Sequence, residues 1–146
     1  MAASAATAGI GTLLKIGDAA TPEVFTTIAE VLDITGPGLT SDLVDITNMD
    51  SAASWEESLP TILRSGEITF SVNFLPTNTT QSSTAGLIND FENRTNRNFQ
   101  LVFTDTPATT WSISGYVTNV SPSAPVAAQL TMDVTIKLTG QPTLTG

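Results

Sequence analysis

The sequence predicts a mainly β domain, an antiparallel β-sandwich or barrel-like body with one flanking α-helix. Two stretches of unbroken alternation carry that prediction. From Leu130 to Thr139, the side chains Leu130, Met132, Val134, Ile136 and Leu138 fall on one side, and Thr131, Asp133, Thr135, Lys137 and Thr139 on the other. From Glu67 to Phe74, Ile68, Phe70, Val72 and Phe74 stand opposite Glu67, Thr69, Ser71 and Asn73. Side chains on a strand change face at every residue, so each run buries one face and wets the other. The third observation is a single amphipathic stretch, Ser83–Asn93, whose Leu87, Ile88 and Phe91 share a face and whose start offers Ser83 or Thr84 as a cap. A helix laid on the apolar side of a sheet supplies the second layer that a one-sided sheet lacks.

The elements follow in order. Residues 1–11 form a small-residue arm, expected to be flexible, and the domain proper runs from 12 to 146. Thr12–Ile16 suits a short strand stopped by Gly17-Asp18. Thr26–Thr35 fits either a helical stripe (Ile28, Val31, Leu32) or a strand; its Thr, Val and Ile content and the stop at Gly36-Pro37-Gly38 favour the strand. Leu43–Thr47 is another strand. Asn48–Ser65 has no clear periodicity and reads as a long loop, a length that in compact domains is functional or disordered. Pro76–Gln81 is a polar loop. After the helix, Asn98–Phe103 and Trp111–Val120 complete the strands, the second with Gly115 as a position for a bulge or a close neighbour. The five apolar side chains of Leu130–Thr139 supply roughly 10 kcal/mol if fully buried. Ordering costs about 1–2 kcal/mol per residue, so such a sheet needs closure or a partner.

Composition narrows the function. The chain has 146 residues, 40% of them hydrophobic but only 13% charged, with a formal charge of −9 from five basic and 14 acidic residues. Charged residues are about 25% of a typical soluble domain, so this surface is polar rather than ionic. So few cations exclude a protein that grips nucleic acid, which needs Lys and Arg against the phosphates. The chain has no Cys and no His. That removes disulfides, thiolate nucleophiles, His-based triads and His metal sites. No stretch approaches the roughly 20 apolar residues of a membrane span, and Met1–Ala8 lacks the charged flank and apolar run of a signal peptide. The expectation is synthesis in a cytoplasm, without contact with a membrane.

Carboxylates are the remaining catalytic candidates: Glu56 and Glu57 are adjacent, with Asp42, Asp45 and Asp50 nearby. A glycosidase-like pair must face itself across a cleft, which spacing alone does not establish, and surface acids are common. The Asp42–Asp50 run lacks the calcium-loop spacing, so a solvated loop is the better reading. Arg94 and Arg97 flank the helix end, where cations favour the dipole. Trp55, in the long loop, suits either an interface anchor or a residue folded back on its own domain.

The order of motifs resembles bacteriophage tail tube proteins, the major tail proteins of long-tailed, non-contractile phages. The residues that carry it are Ile16-Gly17-Asp18, Thr21-Pro22-Glu23, Phe25–Val31, Asp33-Ile34 to Gly36-Pro37, Asp45-Ile46-Thr47-Asn48, Asp50-Ser51, Trp55-Glu56-Glu57 and Gly66–Phe70. The set continues through Gly86-Leu87, Trp111–Val117, Ser121–Pro125 and Leu138-Thr139-Gly140. The resemblance implies a tail-tube fold without a cofactor, six copies per ring, and rings stacked into a hollow tube through which DNA leaves the virion without specific binding. It also implies a place in the virion tail and, as partners, further copies of the chain with tape measure, tail terminator and tail tip proteins. Loop 48–65 and the arm would then join ring to ring, with Asp50, Trp55, Glu56, Glu57 and Leu59 as interface candidates. Glu67 and Asp133, with Glu30 and Asp33 if Thr26–Thr35 is a strand, are the lumen candidates. Rival readings are a secreted β-sandwich binding module for carbohydrate or adhesion, a carboxylate hydrolase, and the related tube protein of a contractile tail or type VI secretion system.

Overall fold

The computed structural model describes residues 3–146; Met1 and Ala2, the first two residues of the arm, lie outside the described residues. Among the described residues, nine strands and one α-helix follow in the order β1 (Leu13–Gly17), β2 (Phe25–Thr27), β3 (Val31–Thr35), β4 (Thr40–Asp45), β5 (Ser58–Arg64), β6 (Glu67–Asn73), α1 (Leu87–Asn93), β7 (Arg97–Val102), β8 (Thr110–Ser123) and β9 (Thr131–Thr145). Seven strands form an antiparallel sheet in the order β2-β1-β7-β8-β9-β6-β3, and β4 pairs with β5 in a separate hairpin. The two edge strands of the large sheet, β2 and β3, are consecutive in the chain. Ile28 N donates to Leu14 O of β1 at 2.9 Å, and two residues later Glu30 O accepts from Asn73 N of β6 at 3.0 Å. The chain thus crosses from one edge of the sheet to the other, and the sheet wraps into a barrel. Wrapping brings the two edges towards each other, but among the described residues no ladder joins β2 to β3.

The crossing corrects the single strand expected over Thr26–Thr35. Glu30 sits at φ 50°, outside the strand region, and the backbone of Ala29 is held by side chains instead of a ladder. Thr80 Oγ1 accepts from Ala29 N at 3.1 Å, and Gln81 Nε2 donates to Ala29 O at 2.9 Å. Gln81 is fully buried. Its Nε2 also donates to Asn73 O at 3.2 Å, while its Oε1 accepts from Leu75 N at 3.0 Å. One amide therefore ties the crossing to the end of β6 and the loop after it.

The core lies on the alternating apolar faces. Ile68, Phe70 and Val72 of β6 and Met132, Val134, Ile136 and Leu138 of β9 are buried with Leu14, Phe99, Leu101 and Ile113. Gly115 answers to a close neighbour: a Cβ there would strike the Lys137 carbonyl of β9. The ladder between β8 and β9 shifts register on both sides of it.

The helix is shorter than Ser83–Asn93 and starts at Gly86 without a side-chain cap. Its first residues are taken up by a turn in which Gly86 N donates to Ser82 O and Leu87 N to Thr80 O, both at 3.0 Å. Leu87 is buried as expected, but Phe91 is 44% exposed. Arg94 ends the helix in the left-handed conformation (φ 53°). Arg97 serves a different purpose from the dipole: it donates to Asp90 Oδ1 at 2.6 Å and to Gly17 O at 2.8 Å, tying helix, β7 and β1 together. Burial pushes the Asp90 carboxyl up from its ordinary value, and Arg97 pulls it partly back.

Candidate functional site

Two surfaces stand out. The first is the polar face of β7, β8, β9 and β6, where Gln100, Ser112, Ser114, Thr69, Thr135 and Thr139 alternate with the core residues. Glu67 lies directly opposite Lys137 in the β6–β9 register, and Tyr116 flanks Lys137 on β8. Cross-strand neighbours of this kind stand about 5 Å apart at Cβ, close enough for opposite charges to offset one another. Asp133 Oδ1 accepts from Ser71 Oγ at 2.7 Å. Asp33, in the irregular part of the β3–β6 ladder, shares with Asp133 a shallow depression of about 290 Å³. Lys15, opposite Gln100, lies on the same face. The structure thus brings Asp133 and Asp33 together and pairs Glu67 with Lys137 further along the same face, with Lys15 three strands away from β9 on β1. Glu30 is not on a strand; it sits in the crossing turn, where its Oε1 accepts from Asn73 Nδ2 at 3.4 Å.

The second surface is the β4–β5 hairpin. The segment 48–65 is only partly loop: Ser58–Arg64 forms β5 against Thr40–Asp45, and the expected strand Leu43–Thr47 shifts accordingly. Its base is pinned. Gly66 adopts φ +72°, and its Cα lies against the Gly38 carbonyl so closely that a Cβ would collide with it. Gly66 O accepts from Leu138 N of β9 at 3.0 Å. A side chain at Gly66 would meet both backbone strain and that collision.

Beyond the base, apolar side chains stand on both faces of the ladder. Leu43 and Leu63 are 65% and 80% exposed, and Val44 faces Leu59 across the strands, both about half exposed. Ile62 is exposed as well, and at the tip Trp55 is 75% exposed. Trp55 is therefore not folded back on its own domain. The hairpin is also the most acidic part of the chain: Asp42, Asp45, Asp50, Glu56 and Glu57 against Arg64, a formal −4 of the total −9. Arg64 Nη2 bonds Asp42 Oδ2 at 2.8 Å and holds that carboxyl below its ordinary range. Hydrogen bonds from Thr47 lower Asp45 in the same way.

Of the five interface candidates, Glu57 builds the tip itself. Its Oε2 accepts from Ser51 Oγ at 2.6 Å and its N–H donates to Thr47 Oγ1 at 2.8 Å. Asp50 N donates to Asn48 Oδ1 at 2.8 Å in the same turn. Trp55, Glu56 and Leu59 present their side chains outward. Leu43, Val44, Ile62 and Leu63 belong to this surface and escape sequence reasoning. The available signal is a pair of short apolar runs, 43–44 and 59–63, with no alternation to assign either a buried face. Among the described residues no group of three or more His, Cys, Asp or Glu side chains could hold a metal ion.

Comparison with known proteins decides what such a barrel and hairpin belong to. Residues 11–145 match the family model of the lambda phage tail tube protein. The chain belongs to that family. Its role is structural, as a subunit of the tail tube in the virion tail. This displaces the secreted binding module. No curated protein matches the chain in sequence.

Solved structures agree on the fold. The tail of an empty gene transfer agent particle, refined with C6 symmetry, aligns at a TM-score of 0.71 with 18% identity, covering 97% of this chain and 100% of that one. The sheath/tube terminator of the extracellular contractile injection system PVC aligns at 0.72 with 12% identity, covering 99% and 100%. The tube-terminating cap of the anti-feeding prophage aligns at 0.71 with 12% identity, covering 99% and 94%.

Proposed function

We propose that six copies of this chain close into a ring, that rings stack through the β4–β5 hairpin and the N-terminal arm, and that the polar sheet face lines the lumen. The observation that carries this reading is the hairpin, whose apolar side chains are exposed on both faces. A hairpin of this size is not stable alone unless something covers it. In a tube built from one chain, that cover is another copy. The likeness to a tail of C6 symmetry supports six copies per ring. Likeness to a terminator and a cap of other tubes supports partners that finish the tube, here tail terminator and tail tip proteins, with a tape measure protein in the lumen.

The polar face suits a conduit for DNA. Glu67, Asp133 and Asp33 leave it slightly acidic after Lys137 and Lys15 are counted, and hydroxyls fill the rest. Phosphate finds no cluster of cations there to release its counterions, so DNA passes without specific binding. The chain acts through assembly and not as an enzyme. The contractile-tail alternative has the same fold, but the family match over residues 11–145 favours the non-contractile tube.

Negative-stain electron microscopy of concentrated protein should show rings of about six-fold symmetry, by likeness to the C6 tail, and hollow tubes. Trp55→Ala should leave a folded subunit that assembles poorly. Normal tubes from that variant would remove Trp55 from the interface, and absence of rings from wild-type protein and parent particles alike would sink the assembly itself.

A further inference from the structure

The N-terminal arm stands over an apolar recess without filling it. Residues 7–12 form one wall of a cavity of about 1180 Å³, and residues 31–36, in and after β3, form another. β3 pairs with β6 on one side, and among the described residues no strand lies along its other side. Leu101, Phe103 and Trp111 reach the cavity from the barrel, and Leu144 stands half exposed at its rim. Ile10, the one large apolar residue among residues 3–12, also borders it, yet is 89% exposed. The arm is tethered beside the cavity by Thr104, whose Oγ1 donates to Ala8 O at 2.7 Å. Past that tether Ile10 is flanked by Gly9, whose Cβ position is open space, and by Gly11, at φ +95°. An apolar side chain on a glycine hinge thus borders an apolar recess that it does not enter.

We propose that residues 7–12 are an autoinhibitory strap, which in the unassembled subunit closes into this cavity, seats Ile10 against Phe103 and Trp111 and lies along the bare edge of β3. Closed, the arm is withheld from other copies; lifted, as in the geometry described above, it is free to reach one. The inference deepens the tube reading and rests on it for what the arm does when free. Three observations select the chain's own arm as the occupant. It already borders the cavity and is tethered there, so closure gives up none of the translational freedom that a separate partner must lose. Residues 3–12 carry no charge, whereas Asp33 and Asp105 border the cavity, so the arm enters without the repulsion that an acidic segment would meet. A bare strand edge accepts an extended segment of its own chain as readily as one from another. Burying Ile10 favours closure by roughly ten- to a hundredfold, and fixing the hinge residues opposes it to a similar extent. The strap is therefore poised, and the Thr104 hydrogen bond biases it towards closure.

Closure is measured first in the unassembled wild-type subunit by NMR. The Ile10 methyl protons should show Overhauser contacts to the Trp111 indole, and their absence overturns the strap. The chain has no cysteine, and Leu144 lies opposite Trp111 in the β8–β9 register, so Ile10→Cys/Leu144→Cys can lock the strap shut. Oxidised at low concentration, this variant should stay monomeric, build no tubes, and regain assembly when reduced. Locked protein that assembles as readily as reduced protein overturns the inhibitory role. Thr104→Val removes the tethering hydroxyl and leaves Ile10 in place, which weakens closure by up to about tenfold. Light scattering should then show assembly beginning at lower protein concentration than for wild type; onset at equal or higher concentration overturns the inhibitory role as well. Wild-type protein that shows the Overhauser contacts yet never forms tubes refutes the tube reading, and the inhibitory role with it, while closure stands. Thermal melting checks that each variant is folded, and the wild-type contacts decide the matter where one is not.

Discussion

Removing the Gln81 amide should destabilise the subunit more than any change on its polar surface. The side chain is fully buried and satisfies Leu75 N, Ala29 O and Asn73 O. Gln81→Ala leaves one N–H and two carbonyls without partners. An abandoned buried group costs about 1–3 kcal/mol. Taking the lower end for the carbonyls, which keep a second lone pair, and the middle for the N–H gives about 4 kcal/mol. That is a large share of the roughly 5–15 kcal/mol that holds a domain folded. With a slope of about 2 kcal/mol per M urea, the unfolding midpoint should fall by about 2 M. Amide exchange should quicken at Ala29 and Asn73, because the crossing from β2 to β3 loses its tie. Gln81→Glu keeps the acceptor for Leu75 but turns a carboxylate towards two carbonyls. Its folded pKa is therefore raised, and the variant should be more stable at pH 5 than at pH 7. A loss below about 1 kcal/mol for the alanine variant, on a scale where surface changes stay within about 0.5 kcal/mol, would refute the role given to this amide.

Two further outcomes follow from the charges. Arg97→Ala strands the buried Asp90 carboxylate, whose Oδ2 already lacks a partner, and should cost about 3–5 kcal/mol at pH 7. Burial holds the Asp90 pKa above its unfolded value, so the penalty belongs to the ionised form and should shrink as pH falls through the raised pKa; urea melts at pH 7 and pH 4.5 that show equal losses contradict this. Six copies at −9 carry a formal −54 per ring, and raising ionic strength from about 0.01 to 0.15 M shortens the screening length from about 30 to 8 Å. Light scattering should then show assembly beginning at lower protein concentration; onset at higher concentration would mean that ion pairs hold the interface.

How much was legible in the chain depended on whether a side chain is buried by its own domain. β6 and β9 alternate because one face of each meets the core of the same chain, and both runs appear in the structure in the expected phase. β5 does not alternate, because Leu59 and Leu63 point to opposite sides of a ladder that the subunit leaves bare on both. A ladder that its own subunit leaves bare on both faces imposes no inside and outside on the sequence, so 48–65 reads as a loop. Gln81 was invisible for another reason: a polar residue in a polar loop signals solvent, and its burial comes from the crossing turn that packs over it. Asp33 could be placed on the polar face only once the irregular β3–β6 pairing was known.

The placement of charge changes what the acidity of the chain means. A uniformly acidic wall would have accounted for a lumen that repels DNA, but the polar face carries Glu67 opposite Lys137 and Lys15 near Gln100, and is close to neutral. The hairpin holds almost half of the net charge instead. With that face lining the lumen as proposed, a nearly neutral, hydroxyl-rich wall would let a polyanion slide, because it offers neither cations to bind nor a strong field to oppose entry. Acid on the hairpin weakens contact between free subunits, since like charges meet wherever two hairpins approach. Apolar burial must overcome that repulsion for another copy to cover the hairpin as proposed. The same charge thus keeps unassembled subunits apart.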